Sequence, residues 1–310
     1  MRLALPFPKR VNVELTNYCN QRCPLCPRQG FTRPLGFMDA EVFERVALEC
    51  ARHDTMLWLH FLGEPLLHRH ATAFVGTAKS VGCRVGLSTN AVSLGTYTDA
   101  LLDSGLDRLE CSMDALDRAG YEAMRGRDHF QRAAQNVRYF LERKAARGRR
   151  APVTSIQFMR TPAVEAALLR IVDGWRPFLG ADDFIMTIAP NSFGGAIEVR
   201  TPESAAPGAR RLPCAWLFEA LVILQDGTVT MCGADWDASA PLGNVRAATI
   251  TEIWNGPEAQ RRRAAHLDGR FDAVGPCAAC EDWRLADGHG YVNALNEVTS
   301  SAASAISARP

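Results

Sequence analysis

Cys19-Asn20-Gln21-Arg22-Cys23-Pro24-Leu25-Cys26 decides how the rest of the chain is read. Its three cysteines stand in a C-x3-C-x2-C spacing directly after an extended apolar run, Val11-Asn12-Val13-Glu14-Leu15. A loop of that length can set three thiolates around one face of an inorganic cluster. A [4Fe–4S] cluster takes four ligands, so three local cysteines leave one iron open to a small molecule. The same three residues with a distant fourth ligand would also suit a zinc knuckle.

The 310 residues suit one large domain, or one of about 200 residues with an appendage. With 47% hydrophobic residues, 22% charged residues and a net charge of +1, nothing draws the chain toward nucleic acid or membranes. Apolar runs fall far short of the ~20 residues that span a bilayer. The start, Met1-Arg2-Leu3-Ala4-Leu5-Pro6, lacks the apolar core and cleavage site of a signal peptide. A cytoplasmic location is expected. There, ten cysteines point to metal or cluster ligation rather than disulfides.

From residue 10 to 188, strand patterns at 11–16, 56–62, 84–89, 107–113, 153–159 and 183–188 alternate with helical ones. The helices fall at 39–53, 68–81, 95–104, 129–146 and 162–176. Asp39 is placed to cap the first, with Phe43, Val46 and Ala47 on its apolar face. Six βα units predict an α/β fold, a partial (β/α)6 TIM-like barrel over 1–188 with function at the strand C-terminal ends. A Pro- and Gly-rich linker is expected at 189–213. A small C-terminal β-hairpin/helix domain follows at 214–298, with Asp226-Gly227 turning a hairpin over 221–231. A helix is expected at 249–266, with Ile250, Ile253 and Trp254 as its stripe, and residues 299–310 read as a disordered tail.

Several strand ends resemble, in order, the motifs of the radical SAM enzymes. The cysteine loop is similar to their cluster loop. Leu62-Gly63-Glu64-Pro65 is similar to their Gly-Gly-Glu-Pro segment, with Leu62 in place of the first glycine. Ser88-Thr89-Asn90 resembles the Thr-Asn-Gly edge, with Ala91 in the glycine position, and Ser112-Met113-Asp114 the Ser-x-Asp segment. The resemblance implies that Cys19, Cys23 and Cys26 hold a [4Fe–4S] cluster and S-adenosylmethionine (SAM) its open iron. It implies that Gly63, Glu64 and Pro65 meet the methionyl ammonium, while Ser88, Asn90, Ser112 and Asp114 meet SAM or substrate hydroxyls. Helix capping explains such strand-end residues equally well.

Cys214, Cys232, Cys277 and Cys280 form a second set that a hairpin and a C-x2-C turn can bring together. On spacing alone zinc fits as well as iron and sulfur. The text around them, Cys232-Gly233-Ala234-Asp235-Trp236, Leu242-Gly243-Asn244-Val245 and Ile253-Trp254-Asn255, resembles the SPASM/Twitch auxiliary domains. No cysteine follows Cys280, which implies the short Twitch form with one auxiliary [4Fe–4S] cluster, as in radical SAM 2-deoxy-scyllo-inosamine dehydrogenases. A fully ligated cluster suits electron transfer.

The resemblance therefore implies an oxidoreductase that starts with a 5′-deoxyadenosyl radical and oxidises a secondary alcohol of a sugar or aminocyclitol to a ketone. The setting would be aminoglycoside-type natural product biosynthesis, with a flavodoxin- or ferredoxin-type electron donor as partner. Epimerisation, oxidative ring closure and peptide modification start from the same radical, although no leader-binding segment precedes residue 10. A zinc-binding interaction module would leave the strand-end motifs unexplained. Arg160, Gln157 and His60 end or line strands and are candidates to touch substrate. Cys111 is a candidate hydrogen donor, but strand alternation places it opposite Ser112 and Asp114. Cys50 and Cys83 read as packing thiols.

Overall fold

Parallel strands need both faces covered, and the apolar runs of the first half supply the residues for it. The computed structural model describes residues 4–199, 211–284 and 291–293. Six strands pair in parallel and in chain order: β1 (Arg10–Val13), β2 (Met56–Leu59), β3 (Arg84–Thr89), β4 (Arg108–Ser112), β5 (Val153–Met159) and β6 (Phe184–Ile188). Between them run α1 (Ala40–Ala51), α2 (Ala71–Ser80), α3 (Leu94–Asp103), α4 (Arg118–Arg125), α5 (Phe130–Ala146), α6 (Pro162–Ala166) and α7 (Leu168–Trp175). The result is a mixed α/β fold, a partial TIM-like barrel.

Helix α1 shows how the layers close. Val42, Phe43, Val46, Ala47 and Cys50 are buried on one face, and Phe43 stacks on Phe74 of α2 with centroids 4.4 Å apart. Cys83 donates its thiol hydrogen to the Ala47 carbonyl at 3.2 Å, a packing role. Asp39 holds the N-cap position without a capping bond, because its carboxylate pairs with Arg246 instead. Helix α4 has no counterpart in the periodicity. Asp117 caps it and Gly126 ends it at φ 68°. A Cβ at Gly126 would lie 2.2 Å from the Arg22 carbonyl oxygen, so the helix end needs glycine to meet the cysteine loop.

The second half contributes α8 (Trp216–Glu219), β7 (Ala220–Ile223), β8 (Thr228–Thr230), β9 (Gly243–Asn244), α9 (Ile250–Trp254) and α10 (Pro257–Leu267). The expected hairpin forms as β7–β8, but it does not stand apart. β7 runs parallel to β1, and β10 (Tyr291–Asn293) joins β6 at the other edge, giving one sheet of ten strands. The helix expected over 249–266 is broken in two. Gly256 is extended and Pro257 has no N–H to continue the ladder, while a capping box of Thr249 and Glu252 starts α9. Ile250, Ile253 and Trp254 are buried as the stripe requires. Residues 200–210 of the expected linker and the expected tail at 299–310 lie outside the described residues.

One buried ion pair joins the halves. The Arg33 guanidinium donates in a fork to Glu14, at 2.6 and 2.8 Å, with side chains 8% and 0% exposed. Arg33 also donates to Gln225 Oε1 at 2.8 Å and to the Trp236 carbonyl at 3.0 Å. Backbone N–H groups of Leu62 and Gln225 donate to Glu14 as well; burial pushes its carboxyl up and Arg33 opposes that. Removing one partner leaves the other charged and dry. Arg33→Met is expected to destabilise the chain by about 3–5 kcal/mol, measured by denaturant unfolding, with Glu14→Met/Arg33→Met recovering most of the loss.

Candidate functional site

The cysteine loop leaves β1 and folds over the C-terminal ends of the parallel strands, where loops rather than ladder bonds set the geometry. Cys26 N–H donates to the Cys23 carbonyl at 3.2 Å, closing a turn. Gln21 donates to the Tyr121 hydroxyl at 2.9 Å, and Arg22 N–H to the Arg125 carbonyl at 3.0 Å, so α4 carries the loop. Three N–H groups face sulfur: Gln21 N to Cys19 at 3.5 Å, Asn90 Nδ2 to Cys19 at 3.9 Å, and Arg125 Nη1 to Cys23 at 3.9 Å. Such donors suit sulfurs that act as thiolate acceptors, as cluster ligands do. Burial pushes the bare thiols of Cys19 and Cys26 up to about 12 and about 11. Only a bound cation would hold them deprotonated at neutral pH. The residues fit the cluster.

Gly63-Glu64-Pro65 lies beside this loop. A Cβ on Gly63 would fall 1.8 Å from the Thr16 carbonyl oxygen, so the turn presses on the chain leaving β1. Glu64, 1% exposed, accepts from Thr89 Oγ1 at 2.6 Å, Asn90 N at 2.7 Å and Leu66 N at 3.1 Å. Ala91, in the glycine position of the family motif, takes a left-handed φ of 62°. Asn136 holds it there by donating to the Ala91 and Val92 carbonyls at 2.9 Å each. Asp114 also has a positive φ, 59°. Its carboxylate pairs with Arg125 at 2.8 Å and accepts Met159 N–H at 2.8 Å, so it braces β4 to β5 and α4.

These groups line one open cavity, with Cys19, Cys23 and Cys26 on one wall. Gly63, Glu64, Ser88, Asn90, Ser112, Asp114 and Gln157 all reach it; Pro65, Arg160 and Cys111 do not. Pro65 is buried at the start of a short turn, and Arg160 lies just past β5, its N–H bonded to the Ile188 carbonyl. Cys111 faces the helices in the core, where burial and the nearby Glu110 carboxylate push its thiol far up. The structure thus removes Cys111 and Arg160 from the cavity wall. His60 borders the cavity, where its crowded surroundings and the Arg10 charge lower its pKa.

Glu110 and Arg125 are among the lining residues not singled out from the sequence. Glu110 precedes Ser112 and Asp114 by two and four on β4, so alternation alone puts it on their face. Its register partner on β3, Ser88, donates to it at 2.7 Å. Burial pushes its carboxyl up to about 6, opposed by Ser88 and by Arg10, with Asp114 adding to the rise. Arg125 carries no such signal, because it belongs to the unexpected α4.

The second cysteine set gathers as its spacing suggests. Cys232 lies within electrostatic reach of Cys277, Cys214 and Cys280, and burial raises all four thiols. Among the described residues no three His, Cys, Asp or Glu side chains meet at a single-ion point, and a cubane asks for none, since each iron takes its own cysteine. Arg211 donates to the Cys277 carbonyl at 2.7 Å and Cys214 N–H to His266 Nδ1 at 3.3 Å. Gly233, next to Cys232, and Trp216, two residues past Cys214, line the same cavity as the first set.

Comparison with known proteins follows this division. Residues 13–148 match the radical SAM superfamily, and residues 214–281 match an iron–sulfur cluster-binding domain, SPASM. The GTP 3′,8-cyclase of Mycobacterium ulcerans is 34% identical over 126 residues, 38% of this chain and 34% of that one. The probable GTP 3′,8-cyclase of Pyrococcus abyssi is 27% identical over 127 residues, 41% and 42% of the two chains. The chain thus spans about a third to two-fifths of the length of these relatives. BtrN in complex with AdoMet and 2-DOIA shares the fold at TM-score 0.59 and 17% identity, over 89% of this chain and 94% of that one. SuiB of Streptococcus suis bound to S-adenosylmethionine shares it at 0.71 and 15%, over 90% and 73%. Among the described residues no helix is long and apolar enough to cross a membrane. The chain carries a radical SAM domain, with the SAM-binding [4Fe–4S] cluster that such a domain holds, followed by a SPASM/Twitch-type domain for an auxiliary iron–sulfur cluster.

Proposed function

We propose that this enzyme oxidises a secondary alcohol of a sugar or aminocyclitol to a ketone, as a step of aminoglycoside-type natural product biosynthesis. One observation carries the reading: the cavity lined by the three-cysteine loop is also lined by Gly233 and Trp216, sequence neighbours of the four-cysteine set. The clusters and SAM would supply a 5′-deoxyadenosyl radical and an acceptor for the second electron. Cys19, Cys23 and Cys26 would hold the first cluster; Cys214, Cys232, Cys277 and Cys280 would hold the second. Gly63 and Glu64 form the shelf for the SAM ammonium, Glu64 supplying the charge, while Pro65, expected beside them, lies buried behind the cavity and fixes their turn. Ser88, Asn90 and Ser112 offer hydrogen bonds to SAM or substrate hydroxyls, and Gln157 offers one to substrate. The likeness in shape to BtrN, solved with AdoMet and 2-DOIA, supports this substrate class. A reduced protein of flavodoxin or ferredoxin type would supply the electron that starts the reaction.

Glu110 is the residue we assign to the hydroxyl proton. Of the cavity carboxylates, Glu64 takes three donors and Asp114 is spent on Arg125 and Met159, whereas Glu110 has Ser88 beside it. Oxidation removes one hydrogen atom from carbon, then one electron and the hydroxyl proton; the carboxylate of Glu110 takes that proton. A general base works best with a pKa near the operating pH.

Oxidative ring closure is the second reading, favoured by the GTP 3′,8-cyclases among the curated relatives. Their matches cover only about two-fifths of this chain, so they favour the second reading less than the whole arrangement of the cavity favours the first.

Anaerobic reconstitution is expected to give roughly eight irons per chain, two cubanes. Cys277→Ala/Cys280→Ala is expected to keep SAM cleavage while losing ketone formation from 2-DOIA and related aminocyclitols; retention of ketone would defeat the electron-acceptor role. Substrate turned over without net oxidation would indicate epimerisation instead. Ketone formation by the wild type should hold above pH 6 and fall below it as Glu110 gains its proton, with Glu110→Gln losing that limb. Ionising a buried carboxyl whose pKa is raised costs stability above its folded pKa and nothing below its unfolded one. Glu110→Gln is therefore expected to match or exceed wild-type stability at pH 8, by up to about 2 kcal/mol, which separates lost chemistry from lost folding.

A further inference from the structure

A tryptophan lies deep in the cavity, on a glycine that makes room for it. Trp58 pairs in register with Asn12 of β1 and Gly86 of β3. Its neighbours Leu57 and Leu59 belong to the buried core shared with the helices, so strand alternation turns Trp58 into the barrel, where it lines the cavity. A Cβ on Gly86 would lie 2.2 Å from both Cε3 and Cζ3 of Trp58 and 2.9 Å from Cδ2. An approach to the ring edge would leave Cδ2 much farther off, so Gly86 sits under the face of the six-membered ring. The indole therefore lies flat on the inner surface of β3, and its other face looks into the barrel. A side chain at position 86 would lift it off the strand.

Depth separates this plate from the groups that face SAM. Glu64, Asn90 and the three cysteines all stand beyond the C-terminal ends of their strands, whereas Trp58 stands inside β2, one inward-facing position below His60. Gly86 is likewise one inward position below Ser88, which donates to Glu110. Groups able to meet hydroxyls thus stand one step above an apolar plate. A six-membered polyol with equatorial hydroxyls is built the same way: its rim is polar and its two faces are C–H bonds. Such a ring stacks a face on an aromatic plane while its rim is hydrogen-bonded.

Resting on the sugar or aminocyclitol reading above, we propose that the cavity-side face of Trp58, held flat by Gly86, stacks on one C–H face of the substrate ring and selects rings whose hydroxyls are equatorial. Ser88, Glu110 and Gln157 then receive the rim, and the opposite C–H face turns toward the first cysteine set. An axial hydroxyl on the stacked face would be pressed against indole carbon without a hydrogen-bond partner, which costs binding. Stacking also closes that face of the ring, so only the opposite one is open to attack.

The test measures anaerobic binding of 2-DOIA, scyllo-inositol and chiro-inositol to the reconstituted holoenzyme with SAM present, and SAM binding separately. Every hydroxyl of scyllo-inositol is equatorial, whereas chiro-inositol has an axial hydroxyl on each face. The wild type is expected to prefer scyllo- over chiro-inositol by roughly tenfold. Trp58→Leu, which keeps apolar bulk without a flat face, and separately Gly86→Ala are each expected to weaken 2-DOIA binding roughly tenfold. Both should lose the preference and keep the SAM affinity of the wild type. Trp58→Phe, with a smaller aromatic face, is expected to retain most of the affinity and the preference. Where Gly86→Ala does not fold, Trp58→Leu decides alone. Wild-type affinity and preference in Trp58→Leu, or a wild type without the preference, would overturn the stacking role while leaving the substrate reading intact. SAM affinity that falls as far as that for 2-DOIA, at an unchanged unfolding midpoint, would also overturn it, by assigning the indole to the adenine. A wild type that neither binds nor oxidises any of the three polyols would overturn both the reading and the stacking role.

Discussion

The fork between Arg33 and Glu14 is the constraint on which both halves depend. A carboxylate with no exposed surface is tolerable at the end of a parallel strand only when its oxygens are fully donated to. Here the donors come from three directions: the return limb of the cysteine loop, the turn before Gly63-Glu64-Pro65, and the hairpin at Gln225. Because Arg33 also reaches the Trp236 carbonyl, the loop cannot move without disturbing the region of the second cysteine set. Asp237 adds to the clamp by accepting Thr32 N–H at 2.9 Å, and Phe31 stacks on Trp236 at 5.9 Å.

Around that clamp the cavity divides its polar groups by how fully they are satisfied. Glu64 and Asp114 are saturated and rigid, which suits groups that must present one fixed charge. Ser88, Glu110 and Gln157 keep fewer protein partners, which suits groups that meet a substrate.

Much of this was legible in the residues, and the exceptions have physical causes. The six barrel strands were readable because each is an apolar run bounded by polar turns; β3 and β5 match at both ends, and the others lie within two or three residues at an end. Cysteine spacing singled out both sets of thiols, although on spacing alone zinc fitted them as well as iron and sulfur. Helix α4 was invisible because it is eight residues long, amphipathic over barely two turns, and held by its contact with the cysteine loop. Arg125 was hidden with it. Asp39 was misjudged because a carboxylate able to cap α1 found an arginine more than 200 residues away. Glu110 could have been found, since period-two alternation places it with Ser112 and Asp114, but attention to strand ends passed over a residue two positions deeper.

The parallel pairing of β7 with β1 bears on when the protein can become itself during synthesis. Until Ala220–Ile223 has been made, β1 is an edge strand with one row of backbone groups unpaired, and Glu14 lacks its Gln225 donor. The first strand therefore waits for the last third of the chain. The cysteine loop that grows from it reaches its final shape only once that part has left the ribosome. A nascent chain would expose three thiols on an unfinished loop during that interval.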